Sequence, residues 1–202
     1  PHPLLFPTRG RKLPDTLSKE EIDLIIEKID LSKPEGERNK AIIETLYGCG
    51  LRVSELISLR ITDIFFKEQF LRVVGKGDKE RLVPIGQLAI KYIRLYMENS
   101  RIKVVLARGM EDILFLNRRG KSLSRTMIFL IVKELGELAG LRKNISPHTF
   151  RHSFATHLVE GGADLRAVQA IFFFNDTATT EIYTHLDREF LKSTIQMYHP
   201  RA

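Results

Sequence analysis

Five residues of this chain have side chains that could together act on a phosphodiester: Arg52, Lys76, His148, Arg151 and Tyr183. The two arginines can hold phosphate oxygens in bidentate hydrogen bonds, and the histidine can hydrogen-bond or transfer a proton beside them. The lysine stands between two glycines, which let the backbone approach a ligand, and its amine could protonate a leaving oxygen. The tyrosine becomes a nucleophile where nearby cations make its deprotonation easier. Each residue alone also has an ordinary interpretation as a surface ion pair, a solvated turn or a packing aromatic.

The predicted elements place these residues at helix ends and at a hairpin tip. Arg52 follows a helix of about residues 37–47 that stops at Gly48-Cys49-Gly50, and a short helix around residues 54–56 comes next. Runs rich in β-branched residues at 70–74 and 81–85 flank the polar tip that contains Lys76, which predicts a hairpin. Ser146 and Pro147 predict a helix start that puts His148 and Arg151 on one face.

Other periodic segments complete a mainly α, α+β domain with a small antiparallel sheet. A capping box at residues 18–21 predicts the first helix. Further helices are predicted at 87–99, 123–139, 147–160, 164–172 and 187–197, with a short strand at 113–115.

Composition indicates one domain of 202 residues, 43% of them hydrophobic, with a net charge of +7. That charge favours a polyanion such as nucleic acid as a partner. The single cysteine, Cys49, excludes an internal disulfide, fits a reducing compartment and is interpreted as a packing residue. No apolar run has the length of a membrane span, so the sequence predicts a cytoplasmic protein without a membrane partner. Residues 1–15, basic and rich in proline, read as an interdomain linker.

The ordered motifs resemble the tyrosine recombinase family, and within it the bacterial Xer-type site-specific recombinases. They are G-L-R-V-S-E-L with Arg52, G-K-G-D-K-E-R with Lys76, H-T-F-R with His148 and Arg151, and T-T-E-I-Y-T-H with Tyr183. The resemblance covers nearly the whole chain. It implies the DNA breaking-rejoining fold, with residues 16–202 as the catalytic domain, and it implies that the family's N-terminal DNA-clamp domain is absent from this chain.

The resemblance also implies a role for each residue. Arg52 and Arg151 would clamp the scissile phosphate, His148 would assist proton transfer, and Lys76 would protonate the departing 5′ oxygen. Tyr183 would form a covalent 3′-phosphotyrosyl link, whose energy is kept for religation, so no metal or nucleotide cofactor is implied.

The implied partners are double-stranded DNA and a homo- or hetero-tetramer of recombinases, and the implied process is chromosome dimer resolution. In the family the C-terminal helix, here within residues 187–198, docks on a neighbouring protomer. Packing of this helix into the core of its own chain is the alternative.

One position departs from the family pattern. Phe174 stands where the family usually has a histidine, within Phe172-Phe173-Phe174 in place of Leu-Gly-His. Phenylalanine cannot donate the hydrogen bond that this histidine gives to the phosphate, so the sequence predicts a weakened site. Residues 175–184 also match the translation of a common sequencing adapter. If this segment is a sequencing artefact, the natural protein has Leu-Gly-His in place of Phe172-Phe173-Phe174. Genuine divergence is the alternative.

Other candidates receive structural interpretations. Glu55 is predicted to hold Arg52 or a histidine in place, and the anionic partner of Arg52 is either Glu55 or a phosphate. Arg81 is interpreted as part of a solvated turn or as a charge that contacts the backbone. His152 and His157 are interpreted as structural. A zinc site made from them and His148 is not expected, because the one cysteine is remote and no carboxylate is suitably spaced. Two alternative functions remain, a DNA-binding module with a degraded site and a type IB topoisomerase.

Overall fold

The computed structural model describes residues 16–172 and 185–202, with only the backbone described at 185–187. The linker predicted at residues 1–15 lies outside the described residues. The described helices are α1 (Lys19–Glu27), α2 (Gly36–Cys49), α3 (Val53–Ile57), α4 (Gln87–Leu95), α5 (Arg125–Leu138), α6 (Pro147–Glu160), α7 (Leu165–Phe172) and α8 (His185–Tyr198). Short 3₁₀ turns cover Ile61–Asp63, Lys76–Asp78 and Arg101–Lys103, and a π-helical turn, Tyr96–Ser100, extends α4.

Local chemistry sets the predicted ends of α1 and α2. The Ser18 hydroxyl accepts the Glu21 N–H at 3.1 Å, and the Glu21 carboxylate accepts the Ser18 N–H at 2.9 Å, so the predicted capping box is present. Helix α2 ends at Gly50, whose φ of 65° is left-handed. A Cβ at Gly50 would lie 2.5 Å from Cδ1 of Phe154, so only glycine lets the end of α2 approach α6 this closely.

The sheet has three antiparallel strands in the order β1 (Ile64–Phe65), β2 (Phe70–Val74) and β3 (Glu80–Pro84). The hairpin of β2 and β3 confirms the prediction, and its register places Val73 opposite Arg81. Strand β1 has only two residues and was not predicted. The strand predicted at 113–115 is wrong, because within it Ile113 makes only an isolated bridge to Arg60.

A single hydrophobic core joins these elements. It extends along the chain from Leu17 to Ile195, and α2 lies within it between α4 and α6. Helix α8 packs on α6, α7 and β3 of its own chain through the buried residues Leu191, Thr194 and Ile195. In this single chain α8 therefore adopts the intramolecular alternative.

The residues after α8 are anchored by polar contacts. Arg201 donates to the buried carboxylate of Glu44 from Nε at 3.1 Å and Nη2 at 2.5 Å, and to Asp23 from Nη1 at 2.9 Å. The Arg201 N–H donates to Nδ1 of His199 at 3.0 Å, so Nε2 of His199 donates to the Tyr47 carbonyl at 3.0 Å. Within residues 16–172 and 185–202, no helix has the length and apolarity needed to cross a bilayer.

Candidate active site

Arg52 lies at the start of α3 with its side chain exposed. Its backbone N–H donates to Glu55 Oε1 at 2.9 Å, which shows that Glu55 caps the helix through the Arg52 main chain. Among the described residues no carboxylate pairs with its guanidinium. Glu55 therefore bonds the backbone of Arg52 and not its side chain. Of the two anionic partners considered, a phosphate from outside the chain remains for the exposed guanidinium.

Arg151 lies in the interior of α6 with 2% of its surface exposed. Its Nη1 donates to the Gly50 carbonyl at 2.5 Å, and its Cζ lies 4.2 Å from the ring centroid of Phe172. Burial lowers the pKa of Arg151 below its usual value, and the charges of Arg52 and Arg81 lower it further. The structure thus gathers positive charge around the two predicted phosphate ligands.

His148 lies one helical turn before Arg151 on α6 and its side chain is exposed. The start of this helix is the predicted one, with Ser146 as the N-cap and Pro147 at the first turn. Burial lowers the pKa of His148, and so do the charges of Arg151 and Arg52. A neutral imidazole beside two arginines can accept a proton at neutral pH.

Arg81 belongs to this cluster, and its ion pair with Glu55 was not predicted from the sequence. It lies buried on β3 and pairs with the buried Glu55 through Nη1, and through Nη2 to Oε1 at 3.0 Å. Its Nε donates to the Ile171 carbonyl at 3.1 Å, so the interpretation as a backbone-contacting charge holds for this bond. The solvated-turn interpretation is wrong, because Arg81 alternates with Leu82 and points to the same buried face as Val83. The alternation of side chains along β3 was the signal in the sequence that could have shown Arg81 to be buried.

Glu55 is held ionised at the centre of these cations. Burial alone would raise the pKa of Glu55, but hydrogen bonds from Arg81, the charge of Arg81, the N–H of Arg52 and the charge of Arg151 leave this pKa lowered. Its Oε1 lies 4.0 Å from Nη1 of Arg151. The structural interpretation of Glu55 therefore fits its contacts, although its main partner is Arg81.

Lys76 lies at the exposed tip of the β2–β3 hairpin. The tip is closed by a hydrogen bond from the Gly75 N–H to the Lys79 carbonyl at 2.8 Å, and Gly77 has a φ of 75°. A Cβ on Gly75 would lie 3.9 Å from Oε2 of Glu55, so the base of this tip lies beside the Arg81–Glu55 pair. The structure therefore brings the Lys76 loop to the arginine cluster.

The remaining predicted residues are Phe174 and Tyr183, and both lie outside the described residues. The last described residue of α7, Phe172, is buried, and its ring meets Phe154 edge-on at 5.5 Å as well as Arg151.

His157 and Cys49 have structural surroundings, whereas His152 lies beside a predicted site residue. His157 is buried, and its Nδ1 shares a hydrogen bond of 2.5 Å with the Tyr47 hydroxyl, which removes it from a zinc site with His148. The ring of His152 lies 4.9 Å from that of His148. Cys49 is buried, and burial raises the pKa of its thiol, which fits a packing residue. Among the described residues no group of three His, Cys, Asp or Glu side chains is placed to hold a metal ion.

Sequence comparison matches residues 15–189 to the model of the phage integrase family. The chain belongs to the phage integrase family. This family member is 47% identical to the tyrosine recombinase XerD of Oceanobacillus iheyensis and 44% identical to that of Staphylococcus aureus, each over 97% of the chain. It spans 66% of the length of these relatives.

Solved structures give the same family and fold. The phage integrase family member matches the XerA recombinase with a TM-score of 0.72 and 32% identity, over 97% of this chain and 67% of that one. It matches the XerH recombinase in a post-cleavage complex with a palindromic difH substrate with a TM-score of 0.71 and 30% identity, over 92% of this chain and 54% of that one. The predicted resemblance and the predicted fold class, a mainly α domain with a small antiparallel sheet, are confirmed.

Proposed function

We propose that this chain is the catalytic domain of a site-specific DNA recombinase, which cleaves and rejoins DNA through a covalent 3′-phosphotyrosyl intermediate. One observation carries the proposal. Arg52, which is distant in sequence from His148 and Arg151, lies with them beside the hairpin of Lys76 in a chain that resembles XerD recombinases. Because one core spans residues 17 to 195, residues 16–202 are proposed to form this domain.

The proposed step is an in-line displacement at phosphorus. Tyr183 Oη forms a bond to the scissile phosphorus while the bond from phosphorus to the 5′ oxygen breaks. Lys76 supplies the proton that the departing oxygen needs, and His148 assists the transfer of the phenol proton. Charge that develops on the non-bridging oxygens is stabilised by Arg52 and Arg151, without a requirement for a metal or a nucleotide cofactor.

The electrostatics of the cluster support this chemistry. The side chains of Arg81 and Arg151 lie at the carboxylate of Glu55, and the charge of Arg52 acts on Arg151 beside it. Because the side chain of Arg81 makes two hydrogen bonds to that carboxylate, and Arg52 bonds it only through its backbone N–H, the guanidinium charges of Arg52 and Arg151 remain for an incoming phosphate. A site with an excess of buried cationic charge binds a phosphodiester strongly and deprotonates a tyrosine more easily.

Double-stranded DNA is the proposed substrate. The net charge of +7 supports it, and a XerH structure matched by this chain holds difH DNA after cleavage. We propose that four protomers of this or a related recombinase assemble on the DNA in the bacterial cytoplasm to resolve chromosome dimers. In that assembly α8 would leave its own core and dock on a neighbouring protomer.

A nicked suicide duplex tests the proposed function. A duplex selected from a random-sequence pool for binding to this chain supplies the site. Cleavage next to the nick releases a short strand with a 5′ hydroxyl, which is lost before it can be rejoined, so the covalent protein–DNA adduct accumulates and can be counted on a denaturing gel. Wild-type protein is expected to form the adduct and Tyr183→Phe to form none. An adduct that survives Tyr183→Phe would exclude Tyr183 as the nucleophile.

Phe174 favours a second candidate, a DNA-binding domain with an impaired site. It predicts binding that weakens with salt but no adduct. Restoring the donor with Phe174→His is expected to raise the rate of adduct formation by about 100-fold or more if the rest of the site is intact. Salt-dependent binding with no adduct from either protein would favour the binding domain over the recombinase. Relaxation of supercoils without site preference would instead favour a topoisomerase.

A further inference from the structure

Arg81 joins the hairpin of Lys76 to the elements that carry the phosphate-binding arginines. Its guanidinium bonds Glu55 on α3 through two nitrogens and the Ile171 carbonyl near the end of α7 through the third. Both side chains of the pair are buried, with 4% of Arg81 and 2% of Glu55 exposed. A buried pair with two parallel hydrogen bonds fixes both distance and orientation.

Lys76 itself has no comparable anchor. Its side chain is exposed, and within the described part of the chain no carboxylate forms an ion pair with it. The tip contains two left-handed residues in succession, Gly77 and Asp78, so its shape is set by its own backbone. Where the amine of Lys76 lies relative to Arg52 and Arg151 therefore depends on how the two strands are held below the tip.

Arg81 is placed at that point of the hairpin. It lies opposite Val73, three residues before Lys76, and next to the last pair of the ladder, Val74 and Glu80. Its partner Glu55 also lies beside Gly75 and accepts the backbone N–H of Arg52. The Arg81–Glu55 ion pair thus links the tip that carries Lys76 to the backbone of Arg52, the first of the two proposed phosphate ligands.

We propose that Arg81 is a positioning residue that holds Lys76 at the leaving oxygen. This inference rests on the proposed function and adds a residue to it. Loss of Arg81 would release the tip from α3, so the defect should be a loss of leaving-group protonation rather than a loss of phosphate binding.

A substrate with sulfur in place of the bridging 5′ oxygen separates these two defects. A thiol has a pKa near 8.5, so a thiolate departs without the proton that an alkoxide needs. General acid catalysis contributes about 10²–10⁴-fold to a rate. A variant that has lost only the general acid is therefore slow on the oxygen substrate and recovers on the sulfur substrate. A variant that has lost a phosphate ligand is slow on both.

The experiment measures adduct formation on the selected nicked duplex with oxygen or sulfur at the scissile position. Arg81→Met is expected to be slowed by about 10²-fold or more on oxygen and to recover to within about 10-fold of wild type on sulfur, and Lys76→Ala is expected to do the same. Arg151→Ala is expected to be slow on both substrates. Arg72→Met is the matched control, since Arg72 lies on the same hairpin but pairs with Asp63 and has 42% of its side chain exposed. It is expected to behave as wild type on both.

Arg81→Lys covers the case in which Arg81→Met does not fold, as judged by circular dichroism. Lysine keeps a charge for Glu55 but cannot bond both Glu55 and the Ile171 carbonyl. It is expected to lose about 10-fold on oxygen and little on sulfur. An Arg81 variant that folds and is equally slow on both substrates, or that matches wild type on oxygen, overturns the inference alone. Wild-type protein that forms no adduct on either substrate refutes the proposed function and this inference with it.

Discussion

Nη1 of Arg151 lies 2.5 Å from the carbonyl oxygen of Gly50, 101 residues earlier in the chain. The carbonyl is available because Gly50 ends α2 in a left-handed conformation, and the arginine is buried. This contact fixes α6, which carries two predicted site residues, to the loop that carries the third. Helix packing and the cluster of predicted site residues therefore depend on the same glycine.

Gly50→Ala is expected to lower the free energy of unfolding by about 3 kcal/mol. A left-handed alanine costs about 1–2 kcal/mol, and the added methyl group would meet the Phe154 ring at 2.5 Å, which overpacks the core by a similar amount. Denaturant unfolding measures the change. Gly140→Ala is the control, since Gly140 has a φ of 71° with no atom within 4 Å of its added Cβ, so only the strain of about 1–2 kcal/mol applies. Equal losses in the two variants would contradict the packing argument.

Arg52→Ala is expected to slow adduct formation by about 10²–10³-fold at saturating DNA, because it removes a donor to the charge that develops on phosphate. Its effect on stability should be small, since the side chain is exposed. Arg60→Ala is matched to it. Arg60 is also an exposed arginine that begins a short helix, with its N–H bonded to an acid three residues later, Asp63. A similar rate loss in Arg60→Ala would argue against a specific role for Arg52.

Arg201→Met is expected to destabilise the protein by about 3 kcal/mol, because the carboxylate of Glu44, of which 2% is exposed, would lose its cation. The double variant Arg201→Met, Glu44→Met is expected to recover most of that loss, since neither charge is then buried. Arg118→Met serves as the control for an exposed pair. Arg118 is 83% exposed and lies 3.5 Å from Glu35, so thermal unfolding should change by less than about 1 kcal/mol. A double variant no more stable than Arg201→Met would contradict the argument.

The free energy of unfolding is expected to fall as the pH drops from about 6.5 to 4, because His199 takes up a proton more readily in the unfolded chain than in the folded one. Burial lowers the pKa of His199 to about 4, helped by the charges of His157, Arg201 and Lys19, although its bond to the Tyr47 carbonyl acts in the opposite direction. Because the folded pKa lies below the unfolded one, the stabilisation is present above the unfolded pKa and is lost as the pH falls through the folded pKa. About 3 kcal/mol is at stake over this range.

Unfolding of His199→Gln at several pH values checks this prediction. The loss of stability between pH 6.5 and 4 should be smaller than in wild type. His148→Gln is the control, because His148 is exposed and should leave most of that pH dependence in place. An unchanged slope in His199→Gln would show that other groups carry the acid sensitivity.

Elements whose signals are local could be predicted from the amino-acid sequence. Ser18 with Glu21, Ser146 with Pro147, and Gly50 fixed helix ends because each acts on backbone groups within a few residues. The order of the motifs was enough to indicate the family, which the comparisons confirm. Strand β1 was missed and a strand at 113–115 was wrongly expected, because two-residue pairings depend on the neighbouring strand more than on their own residues.

Contacts between groups distant in sequence became known from the folded chain alone. The Glu55 carboxylate accepts a hydrogen bond from Arg81, 26 residues away. Arg151 donates a hydrogen bond to the carbonyl of Gly50, 101 residues away. Local periodicity shows which side of a strand a residue faces, but it does not show which element covers that side. The same holds for α8, whose amphipathic pattern fits its own core and a neighbour equally well. Its residues Leu191 and Ile195 pack on α6, α7 and β3 in this chain because those surfaces lie within reach and would otherwise be exposed to water.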